Sequence, residues 1–135
     1  MLRLREDADR QHLGEAADLY WKAARWCDAV ALAPFLTEPA DQLLVARTCA
    51  TPREKITDAR ILQAVVGEEL LAPRLRKYAD LTQRWRTGTV LVQVESYGLN
   101  SDRLQTTTVE QPWVLDPRGW HVDPTVTPIT PDHPW

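Results

Sequence analysis

The tightest constraint on the fold is a turn signal late in the chain. Residues 116–119 read DPRG, with Asp at the first turn position, Pro with its preset backbone angle at the second, and Gly as a left-handed closing residue. A turn closed in this way sets Leu115 opposite Trp120 and fixes the register of the strands beside it. The sequence therefore predicts a hairpin of antiparallel strands at 104–115 and 120–123.

The two faces of this hairpin differ in chemistry. Trp113 falls opposite Val122, on the same side of the hairpin as Leu115 and Trp120. This side is therefore apolar, and we predict that it faces inward. His121 and Asp123 project from the other side, and a His-x-Asp pair on one strand face can ligate a metal or orient an imidazole for base catalysis. We favour the simpler interpretation, in which both are polar residues on a half-solvated outer face or at a dimer contact.

Two further segments carry strand patterns. Residues 87–98, TGTVLVQVESYG, alternate Val with other residues at period two, as a half-buried strand does. Residues 54–66, EKITDARILQAVV, are rich in β-branched residues, although their apolar spacing also tolerates a helix. We predict a strand in both.

The first part of the chain follows a helical period instead. Apolar residues recur every three or four positions over 11–27, which predicts an amphipathic helix. Asp28 suits the N-cap of a second, short helix over 29–36, and Pro34 marks a break or kink in it. A third helix is predicted over 37–50.

A basic segment lies in the middle of the chain. Residues 72–85, APRLRKYADLTQRW, predict a helix that starts at Pro73. The cations of this segment are Arg74, Arg76, Lys77 and Arg84, and Arg86 follows directly after it. We favour a solvated helix face over an RNA or phosphate site. With 16 basic and 19 acidic residues the formal net charge is -3, which argues against nucleic acid as a partner of the whole chain.

Composition places the chain among single-domain globular proteins of 135 residues, 44% of them hydrophobic. No apolar run is long enough to span a bilayer, and MLRLREDADRQHLGE lacks the apolar stretch of a secretory signal. We therefore predict a cytoplasmic protein with no membrane span, or an exported one if a leader has been removed. No phosphate-cradling glycine loop and no nucleophile elbow occurs, so no cofactor is expected.

The cysteines allow two interpretations. Cys27 and Cys49 have no Cys or His at metal-ligand spacing, which argues against zinc or another metal. We favour two buried thiols on helices. The alternative is a disulfide between the helices, which requires an oxidising compartment.

Helices followed by antiparallel strands indicate an α+β protein, with the helices on one face of a curved sheet. This order resembles the nuclear transport factor 2-like superfamily, cystatin-like cones that include SnoaL-like proteins. Two stretches carry the resemblance: YWKAARWCDAVALAPFLTEP at 20–39, and VLVQVESYG with TTTVEQPWVLDPRGWHVDP at 90–98 and 106–124. We expect one such domain at 1–123 and a proline-rich extended tail at 124–135. Members of the superfamily include dehydratases, isomerases, polyketide cyclases and hydrolases, and also noncatalytic dimerising modules.

The resemblance implies a site inside the cone, between helices and sheet. Tyr20, Asp28 and Gln111 are the catalytic candidates, and Tyr20, Gln111 and Trp113 are the candidates for ligand binding. Each also has a structural explanation: Asp28 as a helix cap, and Tyr20 and Trp113 as core aromatics. Gln111 interrupts an inward apolar row, so it must find a hydrogen-bond partner, either a backbone group or a ligand.

The first of three functional hypotheses is a noncatalytic nuclear transport factor 2-like module, a homodimer or an accessory subunit of a larger assembly. It would use the outer sheet face and the tail, with Trp135 as an anchor. The expected contact residues on the face are Leu91, Tyr97, Thr106, Thr108, Val114 and His121.

The second hypothesis is a small SnoaL-like enzyme or carrier that binds an apolar molecule in the cone. A cone filled by tryptophan and leucine side chains would argue against it. A third is an RNA- or acidic-partner adaptor built on the helix from 74 to 86.

Overall fold

A computed structural model of the chain describes residues 2–50, 54–69, 85–98 and 103–123. The helices come first: α1 at Leu2–Arg25, α2 at Ala29–Leu32, a 3₁₀ turn at Ala33–Phe35 and α3 at Pro39–Ala50. The strands follow: β1 at Glu54–Glu69, β2 at Arg86–Gly98, β3 at Gln105–Asp116 and β4 at Gly119–Val122.

The described residues form an α+β fold, as predicted, with helices preceding a curled antiparallel sheet of order β1-β2-β3-β4. The strand predicted over 54–66 is confirmed as β1. The helix predicted over 72–85 and the tail at 124–135 lie outside the described residues, apart from Trp85, which directly precedes β2. Among the described helices, none is both long and apolar enough to cross a membrane.

The first helix begins at Leu2, well before the predicted start at Gln11. Its first turns lack an apolar stripe but contain Leu, Arg, Glu and Ala, which have good helix propensity. The helix ends in a Schellman-type cap, in which the backbone N–H groups of Cys27 and Asp28 donate to the carbonyls of Ala24 and Ala23 at 3.1 and 2.9 Å. Cys27 takes the left-handed position of this cap, with φ of 53°.

A disulfide joins Cys27, just past α1, to Cys49 in the last turn of α3, with Cα atoms 5.3 Å apart. The favoured interpretation of two buried thiols is therefore wrong. The spacing of the two cysteines along the chain gave no sign of their contact, because it depends on how α3 folds back onto the end of α1.

The core lies between α1 and the inner face of the sheet. Every second residue of β2 from Arg86 to Ser96 is buried, which matches the predicted alternation. The hairpin register is also as predicted, with Trp113 opposite Val122 and Leu115 opposite Trp120. The largest fully buried side chains are Trp21, Trp113, Tyr20, Leu13, Leu32, Val45, Val90 and Val92.

One buried ion pair ties the first helix to three strands. Arg86 Nη1 lies 2.9 Å from Asp9 Oδ2, and both residues are buried. Arg86 Nε donates to the carbonyl of Gly67 in β1, and Trp120 Nε1 in β4 donates to the carbonyl of Asp9. The prediction that Arg86 extends a solvated basic face is wrong, because its guanidinium is desolvated and paired at the start of β2.

Candidate functional site

The predicted interior site is a packed aromatic cluster. The Tyr20 ring meets the Trp113 ring edge-on at a centroid distance of 5.6 Å, and the Trp21 ring at the same distance. Phe35 closes the group, 6.0 Å from Tyr20 and 5.9 Å from Trp113. Tyr20 and Trp113 are 0% exposed. Edge-to-face packing of this kind buries Tyr20 and Trp113 against neighbouring aromatic rings.

Gln111 is buried in the same cluster and serves both indoles. Its Oε1 atom accepts from Trp21 Nε1 at 3.1 Å and from Trp113 Nε1 at 2.9 Å. The prediction that Gln111 must find a hydrogen-bond partner is confirmed. Its partners are tryptophan side chains, however, and not a backbone group or a ligand. The sequence analysis missed Trp21, although a second aromatic beside Tyr20 was visible.

Two polar atoms of the cluster are buried without a hydrogen bond of good geometry, Tyr20 Oη and Gln111 Nε2. Burial raises the pKa of Tyr20 well above its usual value; the nearby Gln111 side chain lowers it in part, and Asp41 adds to the rise. The phenol therefore stays neutral at physiological pH and is a poor proton acceptor.

Asp28, the third catalytic candidate, lies apart from this cluster. Its side chain is exposed, and its Oδ1 atom accepts from the backbone N–H of Ala31 at 3.1 Å, so it caps α2. The structure thus brings Tyr20, Gln111 and Trp113 together and places Asp28 at the surface as a helix cap.

The outer side of the hairpin holds a second polar cluster. His121 Nε2 lies 2.7 Å from Asp116 Oδ2, and the same carboxylate accepts from the side chain and backbone of Arg118. His121 is 8% exposed and Asp116 is 3% exposed. The expectation that His121 lies on a solvated face is therefore wrong, because its side chain is buried and contacts the turn residue Asp116, which projects from the same face.

This arrangement does not resemble a general base. His121 Nδ1 lies 3.3 Å from the carbonyl of Val122, so both ring nitrogens face oxygen acceptors. His121 is also buried, so a substrate has little access to either nitrogen. Within the described ranges, no group of three or more His, Cys, Asp and Glu side chains is placed to hold a metal ion.

The residues predicted to form a contact surface share the outer face of the sheet. The register pairs Leu91 with Glu110, Gln93 with Thr108, Glu95 with Thr106, Tyr97 with Lys55 and Val114 with His121. All of these residues lie on the face of the sheet that is opposite to the buried residues of β2. Thr106 and Thr108 are exposed, whereas Leu91, Tyr97 and Val114 are half-buried. Trp135 lies outside the described residues.

A small open groove lies beside the end of α1, with a volume of about 160 Å³. It is lined by Arg25, Trp26, Lys55, Ile56, Thr57 and Tyr97. The Arg25 guanidinium lies 5.2 Å from the Trp26 ring, which is 71% exposed. The sequence analysis missed this groove, although Trp26 stands off the apolar stripe of α1 and was a visible signal.

Comparison of the chain with protein-family models, curated proteins and solved structures finds no match.

Proposed function

We propose that the chain is a noncatalytic nuclear transport factor 2-like module that associates through the outer face of its sheet, as a homodimer or as an accessory subunit of a larger assembly. One observation carries this proposal. The residues expected to line a ligand cavity, Tyr20, Gln111 and Trp113, are buried against one another and against Trp21. A catalytic or binding role would require them to face an open cavity.

The outer face has the composition of a contact surface. Half-buried Leu91 and Val114 share it with exposed Thr106 and Thr108 and with Val65 of β1, which is 48% exposed. Apolar and hydroxyl side chains on a regular sheet face can pack against an identical face related by a two-fold axis.

The disulfide supports an oxidising compartment for this module. The Cys27–Cys49 bond joins the end of α1 to the last turn of α3. Disulfides persist in exported proteins and are rare in the reducing cytosol. We therefore propose export rather than the cytoplasmic location that the sequence favoured.

The homodimer is tested by native mass over a range of protein concentrations, measured by light scattering. The double variant Thr106→Lys/Thr108→Lys puts two cations on the outer face and should shift the protein toward the monomer. Val30→Lys is the matched control, because Val30 is 85% exposed on α2, and it should leave the mass unchanged. A wild-type protein that stays monomeric throughout contradicts the homodimer. Equal effects of the two variants contradict the role of the outer face.

A carrier of small apolar molecules is the second candidate, and the two unpaired polar atoms in the core favour it. A ligand with one acceptor and one donor would satisfy Gln111 Nε2 and Tyr20 Oη. Titration with anilinonaphthalene sulfonate distinguishes the candidates. The association module should show no saturable binding to the native protein, whereas saturable binding that Gln111→Leu abolishes would establish the carrier.

A further inference from the structure

The groove beside the end of α1 joins aromatic and cationic side chains from the first helix and the first two strands. Its lining comprises Arg25, which ends α1, Trp26, which follows it, residues 55–57 near the start of β1, and Tyr97 near the end of β2. Lys55 and Tyr97 are cross-strand partners, so the register of the sheet sets them side by side. The groove is therefore formed where the end of the helix meets this pair of strands.

The Trp26 side chain is restrained although it is exposed. The guanidinium of Arg25 lies 5.2 Å from the centroid of the Trp26 ring, which is a cation–π distance. The next residue, Cys27, is fixed by its disulfide to Cys49 and by the cap that ends α1. The indole is nevertheless 71% exposed. An apolar ring that is already restrained loses little conformational entropy when a partner packs on it, which favours its use as a contact.

The groove is positively charged in a chain whose net charge is -3. The charged residues of its lining are Arg25 and Lys55, and both are exposed. Within the described ranges, no carboxylate forms an ion pair with either cation. The carboxylates of Asp28, Glu54 and Glu95 bond elsewhere, since the first caps α2 and the other two accept from hydroxyl groups. An anionic partner would therefore meet both cations without displacing a described acid.

The size of the groove indicates which kind of anion it fits. Its volume is about 160 Å³, and it is open to solvent. Pockets for drug-sized molecules measure about 300–1,000 Å³ and enclose most of the ligand. A cavity of about 150 Å³, in contrast, holds a single benzene ring. The groove therefore accommodates one side chain of a larger molecule. Its tryptophan, tyrosine and arginine are the residue types that most often dominate contacts between proteins.

We propose that this groove binds an acidic segment of a protein partner. A carboxylate of the segment lies between Arg25 and Lys55, where the planar guanidinium can donate to both carboxylate oxygens. A neighbouring apolar side chain of the segment packs on the exposed ring of Trp26. The groove shares Tyr97 with the outer face of the sheet, but its two cations and Trp26 are not among the residues that the association proposed above requires.

The test is a titration of the isotopically labelled full chain, followed by nuclear magnetic resonance, with a capped peptide in which glutamates flank one phenylalanine. The indole N–H resonance of Trp26, assigned by its loss in Trp26→Phe, should shift saturably. Added sodium chloride should weaken binding, because salt screens the ion pairs. Arg25→Gln/Lys55→Gln should bind the peptide about tenfold more weakly, which is about 1.4 kcal/mol. Lys22→Gln is the matched control and should bind as the wild type does, because Lys22 is an exposed cation of α1 outside the groove.

The proposal is overturned by a Trp26 resonance that does not shift, by equal binding of a peptide with glutamines in place of the glutamates, or by equal effects of Lys22→Gln and the double variant. Vesicles of phosphatidylserine that shift the resonance where the peptide does not would assign the groove to a membrane surface instead. A lower native mass of Arg25→Gln/Lys55→Gln than of the wild type would assign it to a second copy.

The outer face and the groove can fail separately. Thr106→Lys/Thr108→Lys should bind the acidic peptide as the wild type does, because neither threonine lines the groove. A protein that stays monomeric by mass can still bind the peptide, so failure of the dimer leaves this test intact.

Discussion

At the scale of single residues, Gln111 has the clearest expected effect, because one acceptor oxygen serves two buried indoles. Gln111→Leu leaves the Nε1–H groups of Trp21 and Trp113 without that acceptor, at about 1–3 kcal/mol for each buried group. It also removes the unpaired Nε2 atom, which offsets part of the loss. We expect the free energy of unfolding, measured in urea, to fall by about 2 kcal/mol.

Trp21→Phe is the control for this variant, since it removes one of the two donors. The double variant Trp21→Phe/Gln111→Leu should lose about 1 kcal/mol less than the sum of the single losses, because the two residues share one hydrogen bond. Strict additivity would contradict the role given to Gln111.

Asp116 should govern part of the acid stability. Burial raises the pKa of this carboxyl, but hydrogen bonds from the side chain and backbone of Arg118 and from His121 outweigh burial, so the net pKa is lowered from 3.8. The carboxylate therefore stabilises the fold fully above its unfolded pKa, and that contribution is lost as pH falls through the folded pKa. Asp116→Asn should lower Tm at pH 7. Below about pH 4 the Tm of this variant should fall less steeply than that of the wild type.

This is measured as Tm between pH 7 and pH 2. Asp58→Asn, at an exposed position of β1, should follow the wild-type decline. Parallel curves for wild type and Asp116→Asn would show that the cluster contributes nothing to acid stability.

At the scale of elements, the DPRG turn depends on its glycine. Gly119 has φ of 113° and no atom within 4 Å of an added Cβ, so Gly119→Ala tests backbone strain without a steric clash. We expect a loss of about 1–3 kcal/mol in the free energy of unfolding. Gly14 also has open space but lies within α1, so Gly14→Ala should stabilise by about 1 kcal/mol. Chemical denaturation of both variants measures these changes. A change of the same sign in the free energy of unfolding of both variants would contradict the prediction.

The elements were predictable wherever their signals are local. The turn, the alternation of β2, the Asp28 cap and the hairpin register each depend on neighbours in sequence, and the structure has all four. The site was less predictable, because its contacts join distant residues. Trp21 and Gln111 are 90 positions apart, and Arg86 meets Asp9 across 77. The place of Arg86 beside a basic run gives no sign that its guanidinium will be buried at the start of a strand. Nor does it indicate that the guanidinium will pair with a carboxylate of the first helix.

At the scale of the whole molecule, the disulfide is the covalent link between α1 and α3. It closes a sequence separation of 22 residues, which in the chain-entropy description is worth about 3 kcal/mol. Reduction should lower the free energy of unfolding by about this amount in urea. The control is Cys27→Ala/Cys49→Ala in the same reductant, where no further loss is expected. Unchanged stability of the wild type on reduction would contradict a structural role.

The proline-rich tail should contribute to association through Trp135, an aromatic suited to anchor in a partner pocket. A chain ending at residue 130 lacks this anchor and should therefore associate more weakly than the full chain. A chain ending at Asp123 should associate just as weakly and remain folded, because the described core residues lie before it. Native mass and near-ultraviolet circular dichroism measure these outcomes. If both truncated chains assemble as the full chain does, the tail takes no part in association, and the outer face of β2 and β3 must suffice alone.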